Sequence, residues 1–301
     1  MELRDIEIFL TLAEELHFGR TAERLRLTPA RVSQSVKAQE RRIGGPLFVR
    51  TTRTVRLTTL GKQLQKELGV AHRQITAAVQ NATIAAGGGI AGTLILGSMG
   101  AQPFTITPVL DLFRERHPDV ELVIREIHPT APLNELRTCE VDVAHLWLPV
   151  GEPDIAEGPV VHVCDAVLMV NEAHPLAGRT SVTWEDLGDC VVLRGVDVPR
   201  AMEEVFHPHV TPSGRPIPRG PVATSWHEEM TLVAANKAVA VVASDAILFY
   251  KWPNIVYIPI TDAAPVRWAF AWRASSETPL IRALAEAARD ASSRPESINP
   301  Q

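Results

Sequence analysis

Apolar positions in the first sixty residues recur at helical spacing, and turn signals divide them into three segments. Segments 3–16 and 21–27 predict a first helix and a short second helix packed against it. Thr28 can accept a hydrogen bond from a free N–H group at a helix start, and Pro29 suits the first helical position because it needs no N–H donor there. A third helix is therefore predicted from Pro29 to Ile43.

The third predicted helix is amphipathic, and a short basic hairpin follows it. Val32, Val36 and Ile43 recur at helical spacing on its apolar face, and polar side chains occupy the opposite side. The Gly-Gly-Pro run at 44–46 ends the helix, and the next residues predict a two-stranded wing in which arginines alternate with threonines. This order of helix, turn, helix and wing is how proteins present a helix to the DNA major groove.

A long helix with a seam of apolar residues is predicted after the wing, from Thr58 to about Ala86. Its apolar positions are separated by alternating steps of three and four residues, the spacing of a two-stranded coiled coil. An ordinary amphipathic helix packed on its own domain is the alternative, and the glycines at 87–89 are interpreted as a hinge. The seam consists of Leu57, Leu60, Leu64, Leu68, Ala71, Ile75, Ala78, Ala82 and Ala85.

From residue 92 onward, short apolar runs alternate with helix-like segments, up to a closing helix over 280–291. Alternation of strand and helix predicts an α/β fold with a parallel sheet.

Charge is divided unequally along the chain. Residues 1–66 hold 13 Lys and Arg against 7 Asp and Glu, a net charge of +6, whereas residues 67–301 hold 17 against 28, a net charge of −11. A basic N-terminal unit on an acidic remainder indicates DNA contact at one end only.

The motifs of common enzyme classes are missing from the sequence. It has no G-x-S-x-G frame, and the glycine-rich stretch at 87–92 precedes a strand and lacks the Lys of a phosphate-binding loop. An α/β enzyme with an appended DNA-binding domain is therefore the less favoured alternative. Three scattered cysteines, Cys139, Cys164 and Cys190, leave a second alternative open, a cysteine-based redox or metal-sensing regulator.

Cellular location is inferred from the same residues. Acidic residues interrupt the first five positions, and the most apolar long run, 75–96, contains amides and several glycines. We therefore expect no signal peptide and no membrane span. An odd, unclustered set of cysteines is typical of a reduced, cytoplasmic protein.

The N-terminal motifs, taken together, resemble those of the LysR-type transcriptional regulators. The match extends without a gap through about the first sixty residues, and the segment at 171–177, Asn-Glu-Ala-His-Pro-Leu-Ala, resembles a recurring segment of the same family further along. The N-terminal motifs are Phe18…Ala22-Glu23-Arg24-Leu25, Thr28-Pro29-Ala30-Arg31-Val32-Ser33-Gln34, Ile43-Gly44-x-Pro46-Leu47-Phe48-x-Arg50 and Leu57-Thr58-x-x-Gly61.

The resemblance implies three parts. They are a winged helix-turn-helix DNA-binding domain (1–58), a linker or dimerisation helix (59–88) and a two-lobed α/β effector-binding domain like the periplasmic binding proteins (89–301). Lobe I would comprise about 92–164 and 268–301, and lobe II about 165–267. The chain would thus cross between lobes near Cys164 and near Trp268.

Candidate DNA contacts lie on the third helix and the wing. Gln34 can pair with adenine, and Arg31 or Lys37 with guanine, whereas wing residues suit the phosphate backbone or the minor groove. Gln39 departs from the family, which usually shows Leu at this position. The DNA-binding candidates are Thr28, Ala30, Arg31, Ser33, Gln34, Ser35, Lys37, Arg50, Thr51, Arg53 and Arg56.

Candidate effector contacts lie where strands end and helices begin, since ligands of two-lobed folds bind there. Arg194 is the candidate cation for a carboxylate, and Trp147 and Trp226 would give the cleft an aromatic character. We expect no metal and no cofactor, and an effector that is a carboxylate or an aromatic compound. The effector-binding candidates are Ser98, Gly100, Gln102, Thr130, Trp147, Arg194, Thr224 and Trp226.

The sequence therefore predicts a cytoplasmic, sequence-specific transcriptional regulator that is not an enzyme. It would bind double-stranded promoter DNA as a homodimer or homotetramer, respond to a small-molecule effector, contact RNA polymerase and make no contact with membranes.

Overall fold

The computed structural model describes residues 2–50, 54–86 and 89–292. Its contacts divide the chain between Gly89 and Ile90 into two compact units. Each unit is described by itself below.

The first unit consists of four helices and a two-stranded wing. The strands of the wing pair antiparallel, with Phe48 opposite Leu57. The elements are α1 (Leu3–Glu15), α2 (Phe18–Leu25), α3 (Pro29–Ile43), β1 (Phe48–Arg50), β2 (Val55–Leu57) and α4 (Thr59–Ala85).

Local chemistry explains where α3 and α4 begin. The Thr28 hydroxyl accepts a hydrogen bond from the Arg31 N–H at 3.2 Å, and the Thr58 hydroxyl accepts one from the Gly61 N–H at 2.9 Å. A Cβ atom at Gly61 would lie 2.1 Å from the Leu47 carbonyl oxygen. The Thr-x-x-Gly motif therefore both caps α4 and lets its first turn approach the wing.

The apolar seam of α4 is divided between two environments. Leu64 and Leu68 pack against the core of the first unit, as the alternative of an amphipathic helix on its own domain requires, whereas Leu57 lies in β2 and not in the helix. Further along, the seam residue Ile75 is 40% exposed, and Val79, one turn later, is 63% exposed. Leu60, in the first turn, is 39% exposed, so exposed apolar side chains occur in both halves of the described helix.

The second unit is built on two larger sheets and one small sheet. Its strands are β3 (Gly92–Ser98), β4 (Val120–Glu126), β5 (Val143–Trp147), β6 (Ile155–Cys164), β7 (Ala166–Asn171), β8 (Val192–Arg194), β9 (Arg219–Val222), β10 (Ala240–Ala243), β11 (Ile255–Pro259) and β12 (Val266–Arg273). Its helices are α5 (Thr107–Arg116), α6 (Asn134–Arg137), α7 (Arg200–Phe206), α8 (Trp226–Ala234), α9 (Ala246–Phe249) and α10 (Pro279–Ser292).

The expectation of an all-parallel sheet is wrong. The five-stranded sheet has the order β4-β3-β5-β12-β6, in which β3 pairs parallel with β4 and β5, but β12 runs antiparallel to β5 and β6. In the three-stranded sheet β10-β7-β11, both pairings are antiparallel. The predicted βαβ pattern holds for β3 with β4 and with β5, and for the small sheet, where β8 and β9 pair in parallel on either side of α7.

The chain passes between the two larger sheets twice. The first passage is at Asp165, between β6 and β7, and the second lies between Pro259 and Val266, between β11 and β12. The second passage is therefore slightly earlier than the expected position near Trp268, which lies inside β12 opposite both Trp147 and His162. These passages place one sheet in each lobe and leave a cleft between them.

In the described ranges, no helix combines the length and the apolar character needed to span a membrane.

Candidate functional site

The outward face of α3 is polar and basic. Arg31, Gln34 and Lys37 are exposed, together with Ala30 and Arg41, whereas the opposite face of the helix is buried. Ala30, Gln34, Lys37 and Arg41 recur at steps of four and three residues, and Arg31 precedes Gln34 by three, so they share one side of the helix. Arg41 was missing from the sequence-based candidates, although its spacing of seven from Gln34 predicts the same face. The arrangement suits insertion into a major groove.

The prediction that Ser35 contacts DNA is wrong. Ser35 is 5% exposed, and its hydroxyl donates a hydrogen bond to Asp5 Oδ1 at 2.7 Å, which lowers the pKa of that carboxyl group. The neighbouring Gln39 is buried and donates from Nε2 to the Asp5 carbonyl oxygen at 2.9 Å. These two residues hold α3 against α1.

Arg50, a predicted DNA contact, is half-buried and has protein partners in the structure. Its guanidinium pairs with Glu40 at 2.8 Å and lies 5.0 Å from the centre of the Phe18 ring. Glu40 Oε1 also accepts hydrogen bonds from the N–H groups of Leu47 and Phe48 at 3.0 and 3.3 Å. The Arg50 side chain therefore fastens the wing to α2 and α3.

The remaining DNA-binding candidates fall into three groups. Thr28 uses its hydroxyl as the cap of α3, and Ser33 is half-buried. Arg56 is exposed on the wing. Thr51 and Arg53 lie outside the described residues.

A cavity of about 100 Å³ lies in the cleft between the two larger sheets. Its lining is mostly apolar, and aromatic rings contribute from both lobes. Trp147 is 5.4 Å from Phe206 and 5.8 Å from Trp268, and Trp226 is 4.9 Å from Tyr250, measured between ring centres. The aromatic lining residues are Trp147, Phe206, Trp226, Phe249, Tyr250 and Trp268.

Five of the eight effector candidates line this cavity. They are Gly100, Gln102, Thr130, Trp147 and Trp226. Gln102 Oε1 and Trp226 Nε1 are buried and have no hydrogen-bond partner in the part of the chain that the structure describes. Unpartnered groups of this kind can hydrogen-bond a ligand without first losing a protein partner.

Arg194 does not line the cavity, so the expectation that it would bind a carboxylate there is wrong. Its side chain is exposed, and Nε donates to the Gly220 carbonyl oxygen at 3.0 Å in the small sheet. Sequence placed it correctly at a strand end, and the next residue, Gly195, lines the cavity, but the Arg194 side chain bonds to Gly220 within the small sheet β8-β9.

Ser98 and Thr224 are likewise absent from the lining residues. Ser98 is fully buried at the end of β3. Thr224 donates its hydroxyl to Glu228 at 2.6 Å, and its carbonyl oxygen accepts a hydrogen bond from the Thr130 hydroxyl at 3.2 Å. The Thr130 carbonyl oxygen in turn accepts from the N–H groups of Val196 and Asp197, both at 2.9 Å. Thr130 thus joins the two lobes at the cavity wall.

Among the lining residues that are not sequence candidates, Glu229 is a buried carboxyl group. It lies on the inward side of α8 with Met230 and Val233 and is 6% exposed. Burial raises the pKa of its carboxyl group to about 8. The signal for it was present, since Glu229 follows Trp226 by one helical turn.

A second group of chemically active side chains lies where the chain first passes between the lobes. His162 Nε2 is 2.9 Å from Asp245 Oδ2, and the ligand-capable atoms of His162, Cys164 and Asp245 all lie within 4.8 Å of one another. Nitrogen, thiolate and carboxylate ligands are a donor set that Zn²⁺ accepts. Sequence spacing could not show this cluster because Asp245 is distant along the chain.

Cys164 and Cys190 are poorly suited to act as free, redox-reactive thiols. Cys139 and Cys190 are buried, and burial raises the pKa of Cys164 to about 12 and that of Cys190 to about 11. Reactive cysteines instead have lowered pKa values in electropositive surroundings.

Comparison with known proteins matches both units to one family. Residues 3–62 match the model described as bacterial regulatory helix-turn-helix protein, lysR family, and residues 87–293 match the LysR substrate binding domain. The chain is 28% identical over 299 residues to the HTH-type transcriptional regulator AlsR of Bacillus subtilis (strain 168), an alignment that covers 94% of this chain and 93% of AlsR.

Two solved structures agree with this fold. A full-length OxyR variant from Pseudomonas aeruginosa is 26% identical, with a TM-score of 0.64 and coverage of 96% of this chain and 95% of OxyR. Full-length CbnR, solved in complex with its target DNA, is 19% identical, with a TM-score of 0.59 and coverage of 97% and 100%. At that identity, CbnR is evidence for the fold alone.

Proposed function

Since the chain belongs to the LysR family of DNA-binding transcriptional regulators, we propose that it reads promoter DNA with α3 and responds to a small molecule in the cavity between its lobes. The observation that carries the first part is the single polar, basic face formed by Ala30, Arg31, Gln34, Lys37 and Arg41. The other side of α3 is buried in the core of the first unit, so this exposed face is available to contact the DNA major groove.

The DNA interface can be tested by reversing one charge. Lys37 is exposed on α3, so Lys37→Glu should leave the fold intact and place a carboxylate against the phosphates. We expect binding to DNA from upstream of the protein's own gene to fall at least about tenfold. Lys251→Glu, an exposed lysine of the second unit, is the matched control and should bind like the parent. Equal affinities for both variants would contradict the proposed interface.

We infer that the second half of α4 joins two copies of the chain. The seam residue Ile75 is exposed there, Val79 one turn later is also exposed, and exposed apolar positions of this kind are buried when two such helices pair. A homodimer is the smallest assembly that this contact gives, and two such dimers would form a homotetramer. Contact with RNA polymerase is a further proposal that follows from the regulatory role.

The cavity is proposed to be an effector site rather than an active site. Its described lining contains no serine or cysteine that could serve as a nucleophile. Thr130 instead connects the lobes through its hydroxyl and carbonyl groups. A ligand that alters these contacts would shift the balance between lobe arrangements, and with it the spacing of the DNA-binding units.

Metal sensing is a second candidate function, favoured by the proximity of His162, Cys164 and Asp245. Zn²⁺ competition against a chromophoric chelator would test it, with wild-type protein compared to Cys164→Ala. Tight Zn²⁺ binding that the variant loses would support a metal sensor. Equal, weak binding by both proteins would remove this candidate.

A further inference from the structure

Among the ionisable side chains that line the cavity, Glu229 is buried and has no protein partner for its carboxyl group among the described residues. The side chain is buried, and no hydrogen bond or ion pair to its carboxyl group is found in the described part of the chain. Burial of a carboxylate without a partner is unfavourable because water is lost and nothing replaces it. A ligand that supplied the missing partner would remove this cost.

The other ionisable groups around the cavity do not neutralise Glu229. Glu203 is occupied by Arg219 of β9 and by His209 at 3.2 Å. Burial, followed by the nearby Arg219, lowers the pKa of His207 to about 4, so this ring is neutral at physiological pH. Glu126 is exposed. Among the described lining residues there is no lysine or arginine.

The aromatic walls of the cavity favour a positively charged ligand, as Glu229 does. Indole and phenol rings carry negative electrostatic potential on their faces and attract cations within about 6 Å. Trp226 stands one helical turn before Glu229 and packs on Tyr250, with ring centres 4.9 Å apart. A positive group beside Glu229 would therefore meet a carboxylate and aromatic rings, whereas a carboxylate ligand would face Glu229 with no lysine or arginine to pair with among the described lining residues.

We propose that the cavity selects a small organic cation, an aryl- or alkylammonium compound whose charged end pairs with Glu229 and whose apolar end packs among the tryptophans. This inference rests on the proposed effector role of the cavity. It reverses the charge expected from the sequence, where Arg194 suggested a carboxylate ligand.

Binding of an ammonium compound releases a proton. In the empty cavity the Glu229 carboxyl group is protonated at neutral pH, since its pKa is raised to about 8. When RNH₃⁺ binds, the O–H proton leaves to solvent and the carboxylate pairs with the ammonium group, which keeps its own protons. At about pH 7 this amounts to about 0.9 proton for each ligand bound.

The test uses three probes of similar size on the full chain: benzylamine, benzyl alcohol and benzoate. They are cationic, neutral and anionic at neutral pH, so they separate charge from shape. Titration calorimetry in two buffers with different ionisation enthalpies gives both the affinity and the protons released. We expect benzylamine to bind at least about tenfold more tightly than either other probe, with release of about one proton.

Two variants make the result specific. Glu229→Gln keeps the shape and should remove both the preference for benzylamine and the proton release, while Glu286→Gln, an exposed glutamate of α10, should match the parent. Benzoate or benzyl alcohol binding as tightly as benzylamine would overturn the proposal, as would failure of all three probes to bind.

The DNA-binding assay with Lys37→Glu is independent of these probes. DNA binding that depends on Lys37 would therefore uphold the regulator even if the ammonium proposal failed. Conversely, benzylamine binding would stand even if no DNA were bound, so the two failures are distinguishable.

Discussion

Two glutamates, one at the base of the wing and one in the cavity, have opposite surroundings. Glu40 accepts two backbone N–H groups and pairs with Arg50. Glu229 is more deeply buried, and no donor to its side chain is found among the described residues. A glutamate side chain therefore stabilises the fold where hydrogen-bond donors surround its carboxyl group, and it becomes a candidate for ligand recognition where such donors are missing.

The largest effect is expected for Glu40→Ala, which tests whether the Glu40 contacts stabilise the first unit. The substitution leaves Arg50 and two N–H groups without their acceptor, so the first unit should lose about 2–3 kcal/mol of unfolding free energy. Chemical denaturation would measure the loss. Glu23→Ala, at an exposed position of α2, is the control and should change the free energy little. A change of similar size in both variants would mean that the Glu40 contacts contribute no special stability.

The pH dependence of stability tests the other glutamate. The folded-state pKa of Glu229 is raised to about 8 from 4.5, so its stabilising contribution is complete below the unfolded pKa and is lost as pH rises through the folded pKa. Between about pH 6.5 and about pH 8.5 we expect a loss of about 2 kcal/mol. Burial lowers the folded-state pKa of His145 and His207 to about 3 and 4, so both rings stay neutral in the folded protein across this range. In the unfolded chain they lose their protons as pH rises through about 6.5, which adds some stability and opposes the Glu229 effect equally in the parent and in a Glu229 variant.

Glu229→Gln should flatten this profile, because the amide does not titrate. Denaturation of both proteins at several pH values across the same range would provide the comparison. An equally steep loss in the variant would show that another group titrates and that Glu229 is not the poorly compensated carboxyl group described above.

Gln34 sharpens the comparison on the DNA side. Like Glu229, Gln34 has a polar side chain that is available to a binding partner, but Gln34 is exposed and faces the DNA groove in the proposed complex. Gln34→Ala should lower discrimination at one base pair by about 1–2 kcal/mol and leave non-specific binding largely unchanged. Binding measured on a set of operator variants would show this pattern. A uniform loss on every sequence would refute a base-reading role.

Gln39 gives the smallest expected effect. Its amide nitrogen is bonded to Asp5, but its buried Oε1 has no partner among the described residues. Gln39→Leu exchanges one hydrogen-bonded group and one unsatisfied group for apolar packing, so stability should rise by less than about 1 kcal/mol. Thermal unfolding would measure it. A clear decrease would show that the bond to Asp5 outweighs the unsatisfied oxygen.

Sequence predicted the first unit almost element by element because its signals are local. Thr28, Pro29 and Thr58 set helix starts through contacts within one turn, and the structure places each at the expected position. What the sequence analysis missed there came from tertiary contacts. Ser35 and Arg50 have the right chemistry for DNA, but Asp5 and Glu40 occupy them from elements that the helical pattern does not connect.

The second unit was less predictable because its sites are assembled over long separations. The pattern of strands and helices gave the fold class, and strand ends identified Thr130, Trp147 and Trp226 near the cavity. The pattern could not show that β12 pairs antiparallel with β5, nor that Arg194 lies in the small sheet β8-β9. Pairing and burial depend on residues far apart in the chain, and burial is what distinguishes Glu229 from the other glutamates.

The most direct test of the account is the affinity of the full chain for DNA from upstream of its own gene, compared with scrambled DNA across a range of salt concentrations. The account predicts specific binding that weakens steeply with salt, over a footprint long enough for more than one DNA-binding unit. Weak binding that is equal on both DNAs at every salt concentration would contradict it.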